Sequence, residues 1–317
     1  MQVSIILPVH NAAAYLPRCL DSILNQTFPL TNLEILLIDN NSTDNSPEVI
    51  KQYHQKYPSL IRAYTCTTKG ASAARNLGAK HAKGKYLWFI DSDDYIASTA
   101  ISDLFTAAEK TGADLTTFKT KRIYRNGRHS YLPALDPTAP DFKSRFVRYG
   151  FGPWHFLIRR SFWQENNITF KEGIIHEDIE LMSSLILYTD KIASVDKILY
   201  YYLENPNSVL HQTTWDSHAL DIFSALTNLY QKFQSHSAIN AYHDELEFFF
   251  IWNLLLDAAN DFSKFKEGRA NFSKIRQTMH KYFPHWRKNR FLHQKSLLLR
   301  LRCRLNYYGL VLHLRAS

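Results

Sequence analysis

A chain of 317 residues with 45% hydrophobic content can bury a full core, and its length suits one full-sized domain plus an appendage. The formal charge of +9 would admit nucleic acid or an anionic surface as partner, but no recognised nucleic-acid-binding motif accompanies it, so nucleic acid is set aside. Cys19, Cys66 and Cys303 are few, odd in number and far apart, which argues against a disulfide framework and for a reducing, cytoplasmic setting; the longest strongly apolar stretch, 248–256, is interrupted by Asn253 and is far short of a spanning helix.

The first element follows Met1 almost at once. Val3-Ser4-Ile5-Ile6-Leu7-Pro8-Val9-His10-Asn11 is a buried-strand pattern broken by Pro8, too early for a charged leader and cleavage site, so no signal peptide is expected. Residues 12–25 carry Tyr15, Leu16, Cys19, Leu20, Ile23 and Leu24 at helical spacing. A second apolar strand, 33–38, ends in Asp39-Asn40-Asn41-Ser42-Thr43-Asp44, and Ser46-Pro47-Glu48 then opens a helix, because Ser caps well and Pro is favoured in the first turn. Residues 61–65 read as a third strand, 72–83 as a third helix and 86–90 as a fourth strand. The alternation predicts an α/β fold with a doubly wound, mostly parallel sheet. The Pro-containing segment 132–140 is the expected long surface loop.

The fourth strand, Tyr86-Leu87-Trp88-Phe89-Ile90, runs directly into Asp91-Ser92-Asp93-Asp94. Five consecutive aromatic or branched residues belong on a strand buried on both faces, whose carboxyl end opens onto a crevice. Carboxylates this close repel one another, and a divalent cation among them relieves the repulsion; hard oxygen ligands suit Mg2+ or Mn2+, and such a cation holds a phosphate. A solvated, capped acidic turn is the plainer alternative. A phosphatase-type aspartate pair fits poorly, since that pair follows the first strand of its fold. Three polar clusters, 8–11, 39–44 and 91–94, converge beyond the strand ends, which argues for a nucleotide. Asp39 can accept from a base imide or ribose hydroxyl, and Arg75 is placed to meet a diphosphate. No GxGxxG or Walker loop is present, so phosphate charge must be met by a metal and by Arg or Lys.

These segments, with Ala73-Ala74-Arg75-Asn76-Leu77-Gly78 and His176-Glu177-Asp178, resemble family 2 glycosyltransferases, inverting enzymes of the GT-A fold, over roughly residues 1 to 210. The resemblance implies a catalytic domain at 1–212, with a nucleotide-binding half at 1–96 and an acceptor half at 97–212, followed by a basic helical region at 213–317. It implies a nucleotide-sugar donor, uridine-linked, met by Pro8, His10, Asn11, Asp39, Arg75, Asp91 and Ser92. Asp91 would contact the ribose and Asp93 would be the principal ligand of Mn2+ or Mg2+. Asn40 and Asn41 depart from the pattern, standing where Asp and Gly are commoner, as does His10 where Tyr is. Because such enzymes often take a late histidine as a metal ligand, His211 is a candidate; a lone histidine is otherwise surface or packing. The remaining histidines show no ligand-spaced pair, so zinc is not expected.

An inverting transfer needs a carboxylate on the acceptor side, and Asp178 is the expected base, with Glu177 binding the acceptor or orienting the site. Both acids would also simply suit the first turn of a helix running through Leu181, Leu185 and Ile186. Trp154 and His155 are placed to stack on sugar or to pack in the core. The acceptor implied is a saccharide or lipid-linked saccharide hydroxyl of a bacterial surface glycan. A nucleotidyltransferase, which normally carries a Gly-rich loop and Lys after its first strand, and a non-catalytic nucleotide-sugar or lipid-binding protein are the alternatives.

The charge is concentrated in the tail. From Phe262 to Ser317 there are 14 Lys and Arg against one acid, Glu267, an excess of +13 that leaves the remainder at −4. Trp286, Phe291, Leu297, Leu298, Leu299, Leu301, Leu305, Tyr307, Tyr308, Leu310 and Leu312 are threaded through it, as in interfacial helices. An anionic membrane on the inner face of the plasma membrane is the partner this suggests, against a helical subdomain with a solvated basic face. The sequence leaves self-association into a homo-oligomer open.

Overall fold

The computed structural model describes residues 1–205 and 214–310. Strands β1 (Val3–Val9), β2 (Leu33–Asp39), β3 (Ile61–Thr65) and β4 (Tyr86–Phe89) alternate with helices α1 (Leu16–Leu24), α2 (Ser46–Lys56) and α3 (Ala71–His81), as the apolar pattern requires. Helix α1 starts later than its periodicity suggests, because Pro17 sits comfortably in a first turn and residues 12–15 form the turn before it. Further along come β5 (Tyr95–Ile96), α4 (Ala100–Thr111), β6 (Leu115–Ile123), β7 (His129–Leu132), α5 (Phe142–Tyr149), β8 (Phe156–Arg159), α6 (Arg160–Glu165) and, after α7 (Glu177–Ser184), β9 (Ile192–Leu203).

The sheet order is β3-β2-β1-β4-β8-β6-β9-β5, with β7 on β6. Pairs β1–β2, β2–β3, β1–β4 and β6–β9 are parallel, whereas β8 runs antiparallel between β4 and β6. This is the mostly parallel, doubly wound arrangement expected, widened on one side. Strand β1 is buried on both faces: Val3, Ile5 and Leu7 pack in one cluster with Leu16, Cys19, Leu20 and Ile23 of α1, while Ile6 faces α3. There Gly78 is required, since a Cβ at that position would collide with the Ile6 side chain. Pro8 is tolerated mid-sheet because β4 pairs with β1 only as far as Ile6, so its missing N–H falls where that neighbour has ended.

Two compact units result. One holds the sheet and comprises Met1–Phe142, Phe151–Gly173 and 188–205; the other comprises Lys143–Gly150, Ile174–Leu187 and 214–310. Sequence order would keep 97–212 together, but α7 packs with α8 (Asp221–Ser235), where buried Glu180 pairs with Lys232 at 3.1 Å and accepts from Asn228 at 2.9 Å. The second unit continues through α9 (His243–Phe250), a π-helical stretch Ile251–Ala258, α10 (Ala259–Ser263), α11 (Lys266–Arg269), α12 (Phe272–Tyr282), α13 (Arg290–His293) and α14 (Leu297–Tyr307). Its core includes Phe250, Phe262, Ile275, Phe283, Trp286 and Phe291. Trp286 and Phe291 are therefore structural, and only part of the tail's apolar content stays outside. Among the described residues no helix is long and apolar enough to cross a membrane.

Trp154 and His155 belong to the core of the first unit. Trp154 stacks on Tyr200 at 4.7 Å, and its carbonyl accepts from the Trp88 indole at 2.8 Å. His155 is fully buried among Phe118, Phe151 and Phe156, neither ring nitrogen has a hydrogen-bond partner, and burial pushes its pKa down to about 3 from an ordinary 6.5. The unfolded chain then binds a proton that the native chain refuses between those values, so stability falls as the pH is lowered through that window, by on the order of 1.4 kcal/mol per pH unit. His155→Leu should flatten the acid side of the stability profile without lowering stability at neutral pH. Denaturant unfolding from pH 7 to 4 measures this, and an unchanged acid slope would locate the proton uptake elsewhere.

Candidate active site

The predicted donor-side residues do meet beyond the carboxyl ends of β1, β2 and β4. The first two loops are laced together by short polar side chains. Asn11, at φ +50°, accepts on Oδ1 from Thr43 N at 2.7 Å and Asp44 N at 3.3 Å, while Asp44 accepts from Ala13 N at 3.0 Å and Ser46 Oγ accepts from Ala12 N at 2.8 Å. His10 donates from Nδ1 to the Asn40 carbonyl at 2.7 Å. Asn40 bridges to the next loop, donating to Thr68 O at 2.6 Å and accepting from Gly70 N at 2.8 Å. Asn41 holds a left-handed φ of 59°, which explains why a residue tolerant of that backbone stands where glycine is commoner. Inside this frame Asp39 keeps one carboxylate oxygen, Oδ1, buried and without a hydrogen-bond partner in the structure. An acceptor held in that state is ready for an imide or hydroxyl donor.

The acidic turn after β4 divides its labour. Asp91 is ion-paired with Arg75 at 2.9 Å, and the Arg75 guanidinium lies 5.4 Å over the Phe170 ring. Asp94 is buried, accepting from Tyr200 Oη at 2.7 Å and Leu203 N at 2.8 Å, and burial followed by the charges of Asp93 and Asp91 raises its pKa well above the carboxylate range. Ser92 is buried between them. That leaves Asp93, whose Oδ2 accepts from Asn205 Nδ2 at 2.8 Å and whose carbonyl accepts from Arg18 at 2.8 Å. Burial, then the charge of Asp91, raises the Asp93 pKa.

Asp93 lines a cavity of about 210 Å³ together with Tyr15, Arg18, Arg125, Glu204 and Asn205. Two carboxylate-bearing residues beside two guanidinium-bearing ones suit a hard divalent cation and a phosphate, not zinc. Sequence reading passed over Arg18, Arg125, Glu204 and Asn205. Arg18 had a usable signal, one turn beyond Tyr15 on the helix after the first polar cluster; the others are placed by β6 and β9, which local pattern does not connect to β4. His211 lies outside the described residues.

Glu177 and Asp178 are half-buried in the first turn of α7, and His176 before them takes a left-handed φ of 71°. Asp178 Oδ1 accepts from Ile179 N at 2.9 Å. Burial lowers the His176 pKa despite the neighbouring acids Glu177, Asp221 and Asp261. In the same unit His176 and Ile179 line a cavity of about 320 Å³ with Asn253, Asp257, Asn260 and Asp261, where burial and then Asp261 push Asp257 up to about 6. Its polar wall comes from the π-helical stretch and α10, and no sequence pattern announced it.

Comparison with known proteins decides the family. The glycosyl transferase family 2 model matches residues 4–169, half of the chain. The chain belongs to this family. Among the relatives of this family 2 member is the poly(ribitol-phosphate) beta-glucosyltransferase of Bacillus spizizenii, 36% identical over 208 residues, covering 64% of this chain and 32% of that longer protein. The uncharacterized glycosyltransferase EpsJ of Bacillus subtilis is 30% identical over 247 residues, covering 73% of this chain and 70% of that one. The fold is that of Staphylococcus aureus TarS 1–349, crystallised with UDP-GlcNAc: TM-score 0.78 at 23% identity, over 97% of this chain and 89% of that one. The family 2 sheet thus carries the GT-A architecture, with helices following it.

Within this frame Tyr200 is a positioning residue. Its hydroxyl donates to Asp94 and accepts from Asp91 N at 3.2 Å, so Tyr200→Phe leaves a buried carboxylate half-satisfied. Urea unfolding should show a loss of about 1–3 kcal/mol. An unchanged midpoint would mean that Leu203 alone suffices to hold the turn.

Proposed function

We propose that the chain transfers a sugar from a nucleotide-diphosphate donor, uridine-linked, to a saccharide hydroxyl during bacterial surface-glycan synthesis, with inversion at the anomeric carbon. The observation that carries the reading is the aspartate turn: Asp91 and Asp94 are committed to Arg75 and Tyr200, and Asp93 faces the cavity. The UDP-GlcNAc bound by TarS and the poly(ribitol-phosphate) glucosyltransferase name of the Bacillus spizizenii relative support the same class of donor and acceptor.

In this reading Asp39 accepts from the base or ribose with its unpartnered oxygen, and Arg75, held by Asp91, meets the donor near its diphosphate. Arg18 and Arg125 add positive charge beside Asp93. Asp93, with Glu204 near it, would hold Mg2+ or Mn2+, which neutralises charge on the departing diphosphate. On the acceptor side Asp178 takes the hydroxyl proton as that oxygen forms its bond to the anomeric carbon and the bond to the diphosphate breaks; Glu177 orients the acceptor.

Screening donor hydrolysis over a panel of nucleotide sugars, with and without excess chelator, tests the class directly. Turnover should require the divalent ion, and Asp93→Asn should abolish the metal-dependent part of nucleotide binding while the fold survives; full activity in chelator would remove the metal from the mechanism. Asp178→Asn keeps shape but not basicity, so transfer should fall about 10²- to 10⁴-fold with donor affinity retained. Wild-type transfer by that variant would move the base elsewhere.

A further inference from the structure

Helix α14 displays part of its apolar content. Its packed side carries Cys303 and Asn306, both fully buried, with Leu299 and Leu305 half-buried, and Asn306 Nδ2 donates to the Leu255 carbonyl at 2.7 Å. Three of its five leucines face outward, with Leu297 74%, Leu298 57% and Leu301 46% exposed, and Tyr308 and Leu310 are also exposed just past its end. Leu297, Leu301, Arg304 and Tyr308 recur one turn apart along one face, with Arg300 on its edge. A helix that owed its place only to its own unit would turn these leucines inward.

The surroundings say what covers them. After Glu267 the chain has no acidic residue, and among the described residues no carboxylate lies in ion-pairing range of Lys288, Lys295, Arg300 or Arg304. Arg290, by contrast, is already bound to Asp244 at 2.9 Å and Glu245 at 2.9 Å. Uncompensated cations beside an apolar stripe match an anionic bilayer, into which leucines sink while long basic side chains reach back to phosphate. We infer that the outer face of α14, carried by Leu297, Leu301 and Arg304 and flanked by Leu298 and Arg300, is a docking surface for anionic lipid. The assignment does not depend on the catalytic roles proposed above; it separates the lipid-facing leucines from Trp286 and Phe291, which are core.

The test uses the intact chain and vesicles of phosphatidylglycerol with phosphatidylcholine, against vesicles of phosphatidylcholine alone, in co-sedimentation at low and high salt. The protein should bind the anionic vesicles and be weakened by salt. Replacing Leu297, Leu298 and Leu301 by Ser should reduce binding at least about tenfold at every salt concentration. Replacing Arg300 and Arg304 by Gln should reduce it at low salt by on the order of 25-fold, about fivefold for each cation. Leu297, Leu298, Leu301 and Arg304 are exposed and Arg300 is half-buried with no carboxylate partner among the described residues, so both variants should keep the native unfolding midpoint. Indifference to anionic vesicles, equal binding to neutral ones, or binding that survives the leucine changes would each overturn the proposal. Self-association in ultracentrifugation that depends on these leucines, without vesicle binding, would reassign the face to a second copy of the chain.

Discussion

The hydrogen bond from Tyr200 to Asp94 is the constraint on which the acidic turn depends. It joins β9 to the segment following β4 across 106 positions of sequence, at 2.7 Å, in a fully buried setting. Together with the Leu203 N–H it gives Asp94 two donors, which makes a third acidic side chain tolerable in so small a space, and it fixes the backbone that presents the other two. Trp154 stacked on Tyr200, with Trp88 donating to the Trp154 carbonyl, makes that phenol part of the core rather than of a mobile loop. Fixed geometry of this kind suits a site that binds charge, since no reorganisation is needed when the ligand arrives.

A second constraint governs the nucleotide side. Parallel strands buried on both faces leave their carboxyl ends as the place where polar groups converge, and here the loops are tied to one another by their own side chains. Asn11, Asn40, Asp44 and Ser46 spend their hydrogen-bonding capacity on neighbouring backbone. The result leaves Asp39 with an unmet oxygen at the centre of a satisfied network. Selectivity of that sort is typical of binding sites: the frame is saturated and the reading group is not.

The second unit shows two different uses of polar chemistry in helices. Around His176 the carboxylates and amides of the π-helical stretch and α10 line a cavity, a setting in which the extra residue of a π turn changes which side chains point inward. On α14 Asn306 anchors the packed side while Leu297, Leu298 and Leu301 are displayed, which couples a stable unit to an outward apolar face.

Much of this was legible in the residues themselves. Continuous Val, Ile and Leu runs bounded by Pro, Asn, Asp and Ser are two-sided strands with ligand-side loops, so the α/β alternation, the three polar clusters and the position of Asp91 to Asp94 follow from local pattern alone. The tail's charge is likewise a property of composition. Local pattern carries no information about which of several identical side chains is committed to a distant partner. Asp91, Asp93 and Asp94 are equivalent on the page; they became an ion-pair partner, a cavity-facing carboxylate and a buried anchor only when α3 brought Arg75, while β9 and the residues after it brought Tyr200 and Asn205. In the same way Trp286 and Leu297 look alike as apolar residues in a basic tail, and only packing in the second unit buried the one and left the other to solvent, because burial is decided by what lies opposite and not by the residue itself.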